Sequence, residues 1–164
     1  MSKDFLLFKE AAVIAYGKEE EPFQDRDLVK AQFVTELVEL LCYPFSAIHV
    51  DRAVWIPSLG FHDIDVVAEN SAREAMIVAA VEAPREYENK QERTMRLLYL
   101  KAASLSSTKR VRFLAYYTRW YSQGILNKRH LVVDYAAYPS YGAWLAAGFP
   151  SVGVLPVYTK NKEE

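Results

Sequence analysis

The chain has 164 residues, 51% of them hydrophobic and 13% aromatic, which suffices for one packed domain and argues against a disordered chain. A single cysteine, Cys42, excludes an intramolecular disulfide and a zinc site built from several cysteines. The net charge of −1 hides a segregation, because residues 1–84 hold 7 Lys/Arg and 15 Asp/Glu, whereas residues 85–129 hold 11 and 3.

The short apolar run Phe5-Leu6-Leu7-Phe8 falls well below the roughly 20 residues of a membrane span and lacks the pattern of a secretory signal. A cytoplasmic location is the resulting expectation. Residues 17–22 read as an acidic loop ahead of the main body. From Asp27 to Cys42, apolar residues recur at helical spacing: Leu28, Ala31, Val34, Val38 and Leu41. Asp25 or Asp27 can cap the start of that helix, and Pro44 stops it. Cys42 reads as a small buried residue of the helix.

Three extended segments follow, Ile48 to Ile56, His62 to Val67 and Met76 to Glu82, joined by turn-like residues. They suggest an antiparallel meander whose third strand is covered on both faces. Residues 88–106 form a second helix, and Val111 to Tyr117 a fourth strand. A strand–helix–strand unit should cross over right-handed and set the fourth strand parallel to the third. His130 to Tyr135 reads as a further strand, Tyr138 to Ala147 as a short helix, and Val152 to Tyr158 as an extended segment docked on the body. Tyr135, Tyr138, Tyr141 and Trp144 would form a satellite core or a dimer contact. A single domain is expected, with its core at 27–120 and an aromatic C-terminal extension at 121–164.

The strand period of two puts Asp63 and Asp65 on one face of their strand, and Ala80 and Glu82 on one face of the next. Adjacent strands can bring Asp65 and Glu82 together near a sheet edge, with Glu36 of the first helix as a third carboxylate. Such a set suits Mg²⁺, which takes oxygen ligands and can acidify a water beside a scissile phosphate. Lys90 or Arg85, just past the third strand, would lie near that phosphate. Solvated edge carboxylates are the alternative, although the apolar flanks of Asp65 and Glu82 make unpaired burial costly. The basic block 85–129 carries Tyr99, Tyr116, Tyr117, Trp120 and Tyr121, and it fits either a phosphate-facing surface or a solvated helix face and loop. His49, His62 and His130 show no zinc spacing, and neither a phosphate-binding glycine loop nor a nucleophile elbow is present.

These residues resemble a known pattern. Leu41-Cys42-Tyr43-Pro44 after the first helix, His62-Asp63-Ile64-Asp65-Val66-Val67, the strand Met76 to Pro84, Gln91 on the next helix and Phe113 to Thr118 follow the order of the PD-(D/E)XK nucleases. Within that superfamily they are most similar to the N-terminal domain of type I restriction enzyme R subunits. The resemblance covers residues 27–120. It implies an α/β, restriction-endonuclease-like fold with a central mixed sheet flanked by helices. It also implies Mg²⁺-dependent cleavage of DNA, with Asp65, Glu82 and Lys90 as catalytic residues and Asp65, Glu82 and Glu36 on the metal.

The pattern departs at the strand that should end in Glu-x-Lys. Aligned on Ala83-Pro84, Ala80 stands at the Glu and Glu82 at the Lys; aligned on Glu82, Pro84 stands at the Lys. Two readings follow. One is a nuclease-related DNA-binding domain that cleaves. The other is a catalytically inactive nucleic-acid or protein-interaction module, a homodimer or a companion of restriction-complex subunits. In both, Arg85, Gln91, Arg93, Arg96 and Lys101 would contact nucleic acid, RNA fitting as well as DNA.

Overall fold

The computed structural model describes residues 25–160, so the Phe5–Phe8 run and the acidic loop at 17–22 lie outside the described residues. Helix α1 spans Arg26–Glu39, and the Asp25 carboxylate caps it by accepting the Asp27 N–H at 3.0 Å. The helix ends five residues before Pro44, where Leu41 and Tyr43 donate back to the carbonyls of Glu36 and Leu37. Cys42 lies beyond that end in the left-handed region, with φ of 65°. It is therefore exposed rather than buried in the helix as expected.

Five strands form one sheet in the order β1-β2-β3-β4-β5. They are β1 (Ile48–Ile56), β2 (Gly60–Glu69), β3 (Ala75–Val81), β4 (Val111–Ser122) and β5 (Ile125–Asp134). All neighbours are antiparallel except β3 and β4, which helix α2 (Tyr87–Leu105) connects. The result is an α/β fold with a mixed sheet flanked by helices, containing the expected meander and crossover. Strands β4 and β5 run further than expected. Beyond the last β3 pairing, Val81 with Tyr117, they continue as a two-strand ribbon from Thr118–Arg129 to Ser122–Ile125. Gln123 and Gly124 close it, both at positive φ, the backbone required by the tight turns that match hairpin twist.

Helix α3 (Tyr141–Ala146) is capped by Ser140. The residues after it dock without regular structure. Val152 donates to Val132 and Tyr158 to Leu41, and the Tyr43 hydroxyl donates to the Pro156 carbonyl at 2.9 Å. Among the described residues, no helix is long and apolar enough to cross a membrane.

Each face of the sheet carries its own core. On one side α1 supplies Phe33, Val34 and Leu37 against Val66, Ile77, Ala79, Ala115 and Tyr117. On the other α2 supplies Met95, Leu98 and Ala102 against Val78, Ala80, Leu114 and Tyr116, with Trp144 of α3 beside them. A strand covered on both faces must be apolar throughout, which explains the run Ala75 to Val81.

The β1–β2 hairpin changes sides partway along. Ile48 and Val66 pack in the α1-side core, whereas Val54, Ile56 and Ile64 pack in the α2-side core. Regular alternation would keep Ile48 with Val54, and Ile64 with Val66. The switch sits at one level. Val50 pairs with Val66 and Arg52 with Ile64, the pair between them, Asp51–Asp65, is missing from the register, and Asp51 has φ of 55°. Past this level the hairpin leans over α2, where the Ser104 hydroxyl donates to the Trp55 carbonyl.

Candidate functional site

Asp65 occupies the corner where β2 turns away from β3. Val66–Ala79 is the last pairing between those strands on that side, so the Val81 N–H loses its strand partner. A buried amide needs an acceptor, and Asp65 Oδ2 supplies it at 2.9 Å. The other oxygen, Oδ1, binds the Arg26 guanidinium and lies 4.0 Å from Lys30 Nζ. Lys30 also reaches Asp51 at 2.6 Å, so α1 clamps both aspartates of the switch. Asp63 is exposed while Asp65 is 5% exposed, its charge compensated from α1.

Glu82 follows β3 directly. Its Oε1 accepts the Ala83 N–H at 3.0 Å, and its Oε2 lies 4.0 Å from Lys90, which is also 3.9 Å from Glu86. Asp65 binds the amide of Val81, the residue before Glu82, which puts the two carboxylates in one corner. Lys101 of α2 is half-buried. Burial holds its ammonium below the usual lysine range, with Asp65 and Asp63 opposing that shift and Arg26 and Lys30 adding to it.

Glu36 is not brought to this corner. It lies farther along α1, where Lys128 reaches both its oxygens at 3.2 Å, Arg119 stands at 3.8 Å, and the Tyr117 hydroxyl donates at 3.3 Å. Burial, reinforced by Glu36, pushes the Tyr117 phenol far above its ordinary value and keeps it a donor.

This donor set does not fit Mg²⁺ as arranged. Both Asp65 oxygens already bind nitrogen donors, two of the three being cations, and Glu36 stands in a separate cluster. Among the described residues, no group of three His, Cys, Asp or Glu side chains is placed to hold a metal.

The basic block is largely neutralised within the fold. Of its eleven cations, eight lie within 4.0 Å of a carboxylate, and Glu36, Glu69, Glu74 and Glu82 of the acidic half supply many of the partners. Arg96 pairs with Glu92 and lies over the Tyr141 ring at 4.2 Å. Gln91 lines the groove between α2 and α3 beside Met95 and Tyr141, and Arg93 is exposed.

A cavity of about 480 Å³ opens at the carboxyl ends of the parallel pair, lined by Arg85, Tyr87, Asn89, Thr118, Trp120 and Arg129 among others. Open α/β sheets place ligands at such strand ends. One wall is the start of α2, fixed to β4 by Tyr87 and Tyr116. Their rings stack at 4.2 Å, and each hydroxyl donates to the other residue's carbonyl. The floor is the β4–β5 ribbon, where Thr118 faces its register partner Arg129. Of the residues lining this cavity, the sequence points to Arg85 and, among the aromatic residues of the basic block, to Trp120. The Gln123-Gly124 turn would have revealed the ribbon, but no local pattern marks Thr118. Compared with known proteins, the chain matches no family model and no curated protein.

Proposed function

We propose that this protein is a nucleic-acid-binding domain of the restriction-endonuclease-like kind, in which its own cations stand where the resemblance would put a metal. The carrying observation is the Asp65 corner, where Arg26 and Lys30 hold the carboxylate at the bend of β2. The order helix, three antiparallel strands, helix, parallel strand supports the restriction-endonuclease-like assignment. DNA is the expected partner in the cytoplasm, with Arg85 and Arg93 exposed toward its phosphates. Phosphate contacts release counterions, so affinity should fall with salt, with a log–log slope of about −0.9 for each contact.

A second reading keeps Mg²⁺-dependent cleavage. The observation favouring it is that Asp65 binds the amide of Val81, the residue before Glu82, while Lys90 stands 4.0 Å from Glu82. One experiment separates the two: plasmid and single-stranded DNA are incubated with Mg²⁺ or Mn²⁺ across a salt series, with Asp65→Ala as the control. Salt-sensitive binding without cleavage is the expected result. Cleavage that Asp65→Ala abolishes would establish the second reading. Absence of both would defeat the nucleic-acid proposal and leave a protein-interaction module, a homodimer or a companion of restriction-complex subunits.

A further inference from the structure

We infer that the cavity between the start of α2 and the β4–β5 ribbon binds a nucleoside monophosphate moiety, with its phosphate at Thr118 and Arg85 and its base against Trp120. The inference deepens the nucleic-acid reading by naming the unit that this end of the sheet would grip. The first observation is Thr118. It is 1% exposed, it lines the cavity, and among the described residues its Oγ1 has no hydrogen-bond partner. A buried hydroxyl without a partner costs about 1–3 kcal/mol, so an arriving acceptor at that point recovers an interaction the fold leaves unmade.

The second observation is the wall. Helix α2 is 19 residues long and continues from a tight turn at Pro84–Glu86, and among the described residues no side chain caps its N-terminus, so the positive end of its dipole lies beside the cavity, with Glu86 at the cap offset by Lys90 at 3.9 Å. Arg85 and Asn89 add a cation and an amide from the same wall. Glu88 would oppose an anion, but Arg129 pairs with it and also lies 5.3 Å from the centre of the Tyr87 ring.

The third is the floor. Strand alternation sets Thr118 and Trp120 on one face of β4, the face that carries α2, since Tyr116 packs in the α2-side core. Trp120 is half-buried and lines the cavity two residues beyond the hydroxyl. A planar base can stack on such a ring while its 5′-phosphate reaches Thr118. The volume lies within the range of small-ligand sites.

Two sources of this chemistry exist, a free nucleotide and the 5′-phosphorylated end of a strand. The full chain is titrated calorimetrically with AMP, adenosine and inorganic phosphate, and then with one oligonucleotide carrying either a 5′-phosphate or a 5′-hydroxyl. AMP should bind saturably and at least tenfold more tightly than adenosine or phosphate alone. A tenfold preference for the 5′-phosphorylated strand, with an affinity above that of AMP, assigns the site to strand ends; equal or weaker strand binding assigns it to free nucleotide. Thr118→Val should weaken AMP at least tenfold without lowering the melting temperature, because valine fills the same space with no orphaned hydroxyl. Trp120→Ala, at a half-exposed position, should weaken AMP but not inorganic phosphate. AMP affinity no better than that of its two parts, or unchanged by both substitutions, overturns the inference. Wild-type protein that binds plasmid but not AMP overturns only this site, whereas binding of AMP without plasmid overturns only the duplex reading.

Discussion

Strand β2 carries two buried carboxylates four residues apart, and they solve the same problem differently. Asp65 lies at the level where the hairpin changes sides, and it is satisfied by Arg26, Lys30 and a stranded backbone amide. Glu69 is the last residue of the strand, 2.5 Å from Lys109 and 3.2 Å from His49. Both avoid unpaired burial, which is what the chemistry of a carboxylate away from water requires. Only Asp65 adjoins the carboxyl end of β3, where it binds the Val81 amide next to a second carboxylate, Glu82. Burial and pairing alone therefore do not mark a site; position relative to the crossover does.

The largest effect that tests this contrast is on stability. Asp65→Ala strands the Val81 N–H and removes the counter-charge of Arg26 and Lys30. It should cost about 2–3 kcal/mol in urea unfolding, less than the roughly 3–5 of a fully buried pair, because the Arg26 side chain is 41% exposed. A cost below about 1 kcal/mol would show that the amide and Lys30 find other partners, and the corner would lose its structural role.

Glu69→Gln should cost about 1–2 kcal/mol at pH 7. Burial tends to raise the Glu69 carboxyl, but Lys109 and His49 outweigh it and hold it below the ordinary range. A carboxyl depressed in the fold contributes stability above its unfolded value of about 4.3, and that contribution is lost as pH falls through the folded value. The gap between wild type and Glu69→Gln should therefore close as melts are taken from pH 7 to below the unfolded value. A gap that stays constant would mean the ion pair contributes nothing.

Binding separates the corners further. Arg85→Ala should reduce the salt slope of DNA affinity by about 1, weakening all sequences alike. Lys109→Ala, beside Glu69, should leave that slope unchanged; equal effects would erase the distinction between the Glu69 end of β2 and the carboxyl ends of the parallel pair. The smallest effect is a baseline. Cys42→Ser should change stability by no more than about 0.5 kcal/mol, because the side chain is exposed, and Cys42 should react with a thiol reagent without denaturant. Protection from the reagent would place the end of α1 in a contact that buries it.

Apolar period and turn chemistry made most of the fold legible. The two helices, the meander and the crossover all follow from where Val, Ile, Leu and Ala recur. Two features resisted. The residues from Arg119 to Arg129 mix charge, aromatic and polar side chains, so the ribbon beyond Tyr117 has no alternation to read, and Thr118 and Arg129 went with it. The side switch at Asp51 and Asp65 depends on a left-handed backbone at an aspartate, a conformation that aspartate tolerates without demanding. Alternation gives a face for Asp65 but not the Arg26, Lys30 and Val81 partners that this bend brings to it. Glu36 was misread for another reason: helical spacing gives its face but not its height along the sheet, and Lys128 lies 92 residues away in sequence.

The crossing of the β1–β2 hairpin from one core to the other has a mechanical corollary. One pair of strands is shared, its first half in the layer under α1 and its second half in the layer under α2. Neither layer can melt without loosening the ribbon that also closes its counterpart, so the two should come apart together in a single cooperative step, with tyrosine and tryptophan probes reporting the same midpoint.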